Sequence, residues 1–381
     1  MKDARILGVR RTSFGKFPTE TTLSLQRNAA LGALEDASVA PKDIDAVIAG
    51  YSTVSPHLMP ANLIAEAIGA EPRIAFGMNV GGCTGLSMVS EAARIVWSGA
   101  AKCVLVVAGE NRATGQSRQT STATLAQVAD QEYESPIGVT VPALYGLLAS
   151  EYYYRRSLPV DSLAYVPVQM RENASMTRGA HFASKIVLDD VVRSRFVAKP
   201  LRLLECSPIS DGGAAVVVGG TSANSDEWAV DICGVGSANR AQHITSLEFE
   251  QTGAAVSAVQ ALREARIESD EIDLFGVYDS FTVTLAMILE EIGFVSPGET
   301  GDMARAGEFG ESGGMPLNLH GGLMSYGHSG VAGGLVHLVE VVERLRSGRA
   351  LANGVVPRVA YLHGDGGIMS AHASMVLKGR C

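Results

Sequence analysis

Residues 28–50 read NAALGALEDASVAPKDIDAVIAG, and residues 256–278 read VSAVQALREARIESDEIDLFGVY. The two stretches lie 228 residues apart. At that offset Ala33-Leu34 meets Ala261-Leu262, Ala37 meets Ala265, and Ile44-Asp45 meets Ile272-Asp273. Each copy reads as an amphipathic helix, a short polar turn and an apolar strand. Self-similarity at a fixed, long offset indicates a folding unit used twice.

The parallel extends outward on both sides. Residues 5–9 form a short apolar run at the head of the first copy, and residues 229–235 hold the same place in the second. Residues 85–98 predict a helix followed by a strand over 103–109. Residues 330–345 predict a helix followed by a strand over 359–363. Strands alternating with helices imply α/β layering, with mostly parallel strands and right-handed crossovers. The halves are expected at 1–225 and 226–381, related by a pseudo-twofold, with the site where they meet. Residues from about 110 to 200 break the pattern with a polar stretch (ATGQSRQTSTATLAQ) and helical segments, and read as a helical domain inserted into the first half. The SDGGA segment at 210–214 leads back into an apolar strand.

The chain has 381 residues, 46% of them hydrophobic, which is ample for a large core. Its net charge of −9 argues against broad nucleic-acid binding. The five cysteines, Cys83, Cys103, Cys206, Cys233 and Cys381, are scattered and include no CxxC. Neither a disulfide framework nor a metal site is expected. No apolar run approaches the roughly 20 residues of a membrane span. A soluble cytoplasmic protein is the expectation.

Six segments then decide the family: ALEDASVAPKDIDAVI (33–48), GLSMVSEAARIVWSGAAKCVLVVAGE (85–110), SDGGAAVVV (210–218), YDSFTVTLAMILEEIGF (278–294), NLHGGLMSYGHSG (318–330) and HGDGGIMSAHASMVL (363–377). Together they resemble the thiolase superfamily, most closely its sterol-carrier-protein type, over nearly the whole chain. The resemblance implies a duplicated thiolase fold, five layers deep (α/β/α/β/α), with a loop domain that helps hold coenzyme A. It implies a homodimer at least, with residues 103–109 as a candidate edge strand. Coenzyme A enters as part of the substrate, with no bound cofactor.

The catalytic motifs carry over unevenly. Thiolases place a nucleophilic cysteine at C-x-[ST]-G, where a helix start lowers its pKa. Here the chain reads Gly81-Gly82-Cys83-Thr84-Gly85, so Gly82 takes the nucleophile position and Cys83 falls one residue late. The HDCF motif becomes Tyr278-Asp279-Ser280-Phe281. The GH pair is kept as Gly327-His328, preceded by Tyr326. The CxGGG motif becomes His363-Gly364-Asp365-Gly366-Gly367. The candidate site residues are therefore Tyr278, Tyr326, His328, His320, His363 and Cys83. Asp279 reads as structural, because on a strand it faces away from Tyr278.

Without a carrier at position 82, ping-pong acyl transfer lacks its nucleophile. Retro-aldol cleavage of a β-hydroxyacyl-CoA needs none: a base takes the β-hydroxyl proton, Cα–Cβ breaks, and the enolate is held and protonated. Tyr278 and Tyr326 are expected at the hydroxyl, His320 and His328 at the enolate. The pattern resembles the lipid-transfer-protein-type aldolases of steroid side-chain breakdown, which implies a small acyl-CoA-binding partner of OB-fold and zinc-ribbon type. Two alternatives stay open at this point. One is Claisen-type acyl transfer through Cys83; the other is a non-catalytic subunit.

Overall fold

The computed structural model describes residues 4–220 and 229–379, so Cys381 lies outside it. The first half runs β1 (Arg5–Arg11), α1 (Thr22–Asp36), β2 (Ala46–Gly50), α2 (Pro60–Ile68), β3 (Ile74–Met78), α3 (Thr84–Trp97) and β4 (Cys103–Asn111). A mainly helical stretch follows, including α4 (Val141–Arg156), before β5 (Asp211–Gly219) returns to the sheet. The second half runs β6 (Val230–Asn239), α5 (Ala254–Ala265), β7 (Leu274–Val277), α6 (Thr282–Ile292), α7 (Gly333–Ser347), β8 (Val359–Gly366) and β9 (Ala371–Lys378).

The strands order as β3-β2-β4-β5-β1 in the first half and β7-β8-β9-β6 in the second. These are the same order, with β3 lacking a counterpart. The halves join where β1 pairs antiparallel with β6, Arg5 opposite Asp231 and Ile6 opposite Val230. Helices α1 and α2 cover one outer face. Helices α3 and α7 form the middle layer and touch strands of both halves, while α5, backed by α6, covers the other outer face. The result is helix, sheet, helix, sheet, helix.

Matching side chains do matching work in the two halves. Asp45 accepts from the amides of Lys102 and Cys103 at the head of β4, and Asp273 accepts from those of Arg358 and Val359 at the head of β8. Asp36, on α1, accepts from the Val9 amide at 2.8 Å, and Glu264, on α5, from the Val235 amide at 3.0 Å. Gly8 lets α1 lie against β1: a Cβ there would sit 2.3 Å from the Ala33 carbonyl oxygen. Gly234 does the same for α5, with 2.1 Å to the Ala261 carbonyl oxygen. Only glycine allows so close a helix-to-strand approach.

Two expectations are corrected. Parallel pairs are the minority among the described residues of this sheet: β2–β3, β2–β4 and β7–β8 are parallel, and its other five ladders are antiparallel. In each half the last strand re-enters beside its predecessor from the opposite end, by the long insertion before β5 and by a tight turn before β9. Nor is 103–109 an edge, because β4 lies between β2 and β5. The edges are β3 and β7. The β7 edge is covered by residues 316–318, with the Phe275 amide bonded to Pro316 and that of Asn318 to Phe275. Strand β3 is half-buried along its length.

Candidate active site

The site forms where α3 and α7 begin, between the two halves. A Cβ on Gly85 would lie 2.7 Å from the Leu335 amide nitrogen, and one on Gly334 would lie 3.0 Å from the Gly82 carbonyl oxygen. Two helix N-termini therefore converge at Gly82, a setting that favours negative charge. Gly81 bends the chain into α3 with φ +60° and has no room for a side chain against Gly366 and Gly367.

The space beside Gly82 is already filled. A Cβ there would meet the Tyr278 hydroxyl at 2.0 Å and the Asp365 carbonyl oxygen at 2.4 Å. The phenol of Tyr278 thus stands where a side chain at position 82 would project. Tyr278 follows β7 directly, and its ring is buried.

The Tyr278 hydroxyl lies 2.7 Å from Nε2 of His328. Nδ1 of His328 accepts from the Gly330 amide at 3.1 Å. That bond assigns the neutral tautomer with the proton on Nε2, so His328 donates to the phenol oxygen. Burial and the charge of Arg112 push the imidazole down to about 3, consistent with a neutral ring. Burial, then Asp365, holds the Tyr278 phenol above its ordinary value, while Arg112 pulls it down. At rest Tyr278 is a protonated phenol whose oxygen accepts from His328, and its own proton is free for a ligand.

Cys83 sits apart from this pair. Its thiol donates to the Val80 carbonyl at 2.9 Å and is 1% exposed. Burial, then Asp365, pushes it up to about 12. Such a thiol stays protonated at neutral pH, the opposite of an activated nucleophile.

The two phenols do not share one pocket. The Tyr326 hydroxyl donates to the Thr12 carbonyl at 3.1 Å, and its ring lies under the Arg11 guanidinium at 4.9 Å. Gly327, at φ +127°, turns the chain between Tyr326 and His328 and sends their side chains apart. His320 lies between Tyr326 and His337, tilted to the first and edge-on to the second, at 5.4 and 5.0 Å between ring centroids. Both of its nitrogens are buried without a hydrogen-bond partner, and burial pushes its pKa well down. His337 continues this row to Tyr278 at 6.5 Å, and its Nε2 lies 3.6 Å from Asp279. Asp279, just past the end of β7, accepts from the amides of Leu323 and Met324.

His363 is not brought to the pair either. It lies on β8, where alternate residues face opposite sides. Gly364 faces Cys83, so His363 faces the other way. There it bonds His372, Tyr361 and Ser374 in a closed buried network.

Sequence reasoning missed Asp365, Tyr145, Arg112 and His337. Asp365 lies inside a quoted motif, at a position where the family pattern has glycine. Tyr145 comes from the inserted region on α4, where nothing in the pattern marks it. Its hydroxyl donates to Oδ2 of Asp365 at 2.7 Å, and its ring stacks on Phe281 at 4.4 Å. Among the described residues there is no cluster of three or more side chains suited to a metal ion. No described helix is long and apolar enough to cross a membrane.

Comparison with known proteins agrees with this architecture. Residues 4–222 match the family described as thiolase, N-terminal domain, and residues 236–379 the thiolase C-terminal domain-like family. The chain belongs to the thiolase family. It is 31% identical to an acetyl-CoA acetyltransferase of Methanothermobacter thermautotrophicus, over 98% of this chain and 99% of that protein. It is 28% identical to the 17-hydroxy-3-oxo-4-pregnene-20-carboxyl-CoA lyase of Mycobacterium tuberculosis, over 88% of this chain and 91% of that protein. In fold it is similar to the solved structure of an Ltp2-ChsH2(DUF35) aldolase, with TM-score 0.84, 24% identity, and coverage of 99% of this chain and 98% of that one.

Proposed function

We propose that this chain cleaves a β-hydroxyacyl-CoA by a retro-aldol reaction, releasing an acyl-CoA and a ketone or aldehyde. The carrying observation is the Tyr278 hydroxyl in the space beside Gly82, held by His328. It supplies a proton donor where acyl transfer requires a nucleophile. The relatives divide by name between acetyltransferase and lyase, so family membership alone leaves the reaction open. The buried, protonated thiol of Cys83 weighs against acyl transfer.

In this reading Cα–Cβ cleavage leaves the electron pair on Cα as a thioester enolate. The converging N-termini of α3 and α7 favour its negative oxygen. Tyr278 gives its phenolic proton to Cα, and the resulting tyrosinate is stabilised by the Nε2–H of His328 and by the charge of Arg112. Incubation with a branched β-hydroxyacyl-CoA is expected to yield the ketone and the shortened acyl-CoA in equal amounts. Thiolytic release of acetyl-CoA from a β-ketoacyl-CoA, with no cleavage of the hydroxy substrate, would sink this reading in favour of acyl transfer. Turnover of neither, with or without an acyl-CoA-binding partner, would favour a non-catalytic subunit.

The proposed assembly has two further members. A small acyl-CoA-binding protein of OB-fold and zinc-ribbon type is proposed as partner, consistent with the solved aldolase whose name pairs it with a DUF35 protein. A second copy of the chain is proposed across the β3 edge, where Ile74, Phe76 and Met78 are partly buried against the core and no described strand pairs with the outer side. Sedimentation at micromolar concentration is expected to give a dimer, and Phe76→Asp to shift it to the monomer. A stable 39.9 kDa monomer for the unaltered chain would rule this dimer out.

A further inference from the structure

Retro-aldol cleavage takes one proton from the β-hydroxyl and gives one to Cα. Tyr278 enters the reaction protonated and so serves the second step. His328 cannot serve the first, because Nδ1 is held by the Gly330 amide and Nε2 already carries its proton. The base is missing from the residues named so far. We propose that Asp365 is this base: its free Oδ1 takes the β-hydroxyl proton while Tyr145 anchors Oδ2. The proposal rests on the retro-aldol reading above.

Three observations place Asp365 there. Its carbonyl oxygen borders the same point beside Gly82 as the Tyr278 hydroxyl. Its side chain, on the face of β8 opposite Gly364, is 1% exposed, with Oδ2 bonded to Tyr145. Oδ1 is buried without a hydrogen-bond partner. A carboxylate oxygen left unpaired in a protein interior costs about 1–3 kcal/mol or more, a cost that a catalytic group carries and a structural one avoids. After burial, Asp365 is the leading electrostatic influence on both Tyr278 and Cys83.

The titratable groups coupled to the carboxyl's charge are Tyr145 from α4, which bonds Oδ2, Tyr278 from the end of β7, and Cys83, which lies against the opposite face of β8. None of them is cationic. Burial raises the carboxyl to about 8, and the Tyr145 hydroxyl and the amides of Gly366 and Met369 draw it part of the way back. A base that titrates near the working pH is suited to taking and returning a proton. Protons balance over the cycle. Asp365 gains the hydroxyl proton as the carbonyl forms, Tyr278 loses its proton to Cα, and the Asp365 proton returns to Tyr278 after the products leave.

The test uses the full chain, with an acyl-CoA-binding partner if turnover needs one. D365N keeps the size and the acceptor for Tyr145, and is expected to lower kcat by about 10²–10⁴-fold, the usual worth of a positioned proton-transfer group. Wild-type kcat should rise with pH through about 8, as the base ionises, and D365N should lack that limb. Tyr145→Phe removes a hydrogen bond that lowers the pKa, so its limb should move to higher pH. Independently, the infrared carboxyl band that D365N abolishes should shift when acetyl-CoA is added. D365N within tenfold of wild type with its limb intact, or cleavage by wild type with a silent band, would overturn the role of Asp365 alone. A responding band without any cleavage by wild type would instead overturn the retro-aldol reading, and the role with it.

Discussion

Tyr278→Phe lowers β-hydroxyacyl-CoA cleavage by about 10²–10⁴-fold, while Cys83→Ala leaves it within a few-fold. The phenol is the group that His328 holds and that occupies the space beside Gly82. Removing its hydroxyl leaves the ring packed and takes away the proton destined for Cα. It also strands the Nε2–H of His328, at a cost of about 1–3 kcal/mol in stability. The Cys83 thiol is spent on the Val80 carbonyl beneath α3, not on the pair. Single-turnover rates for both variants, with melting temperatures as a fold control, give the ranking. Acyl transfer through Cys83 predicts the reverse order, since a covalent carrier cannot be replaced by a methyl group.

Gly82→Ala is expected to disable the enzyme as severely, by a steric route. Its methyl group would lie 2.0 Å from the Tyr278 hydroxyl and 2.4 Å from the Asp365 carbonyl oxygen. Gly82 is not among the positive-φ glycines, so the obstacle is space and not backbone strain. Overpacking of this kind costs about 1–3 kcal/mol, and relief requires the phenol to leave its place on His328 and the chain at Asp365 to shift. Pairing Gly82→Ala with Tyr278→Ala should recover the part of the stability lost to the phenol, though not the part lost to the Asp365 carbonyl oxygen, a coupling that denaturant unfolding reads as non-additivity. The same space should accept a nucleophile. Gly82→Cys combined with Tyr278→Ala places a thiol at the start of α3 in the volume the phenol vacates. Acetylation by acetyl-CoA is expected in that double variant and not in Gly82→Cys alone. Equal acetylation of both would mean that the phenol does not hold the space.

The duplication was legible because it is written in helical and strand periods, and because Asp45 and Asp273 recur in register with them. What those carboxylates do, gripping the heads of β4 and β8, depends on strands about 60 and 85 residues away in sequence. Strand direction was misread because local pattern carries no record of the end from which the chain returns. The unbroken apolar run at 103–109 is what a strand covered on both faces requires, and the half-buried β3 was the better candidate for an edge. In the site, the displaced Cys83 and the GH pair were visible in the motifs. Tyr326 was not separable from Tyr278, because one glycine at φ +127° decides its direction. Strand alternation on β8 turns His363 into a closed network and Asp365 toward Tyr145. Neither outcome could be assigned before the face toward Cys83 was known.

The most direct measurement is peptide-resolved mass spectrometry of the enzyme quenched during turnover of a β-hydroxyacyl-CoA. Ketone and shortened acyl-CoA are expected to accumulate while Cys83 remains a free thiol in every quenched sample. A thioester on Cys83 that appears and decays at the rate of turnover would contradict the retro-aldol reading.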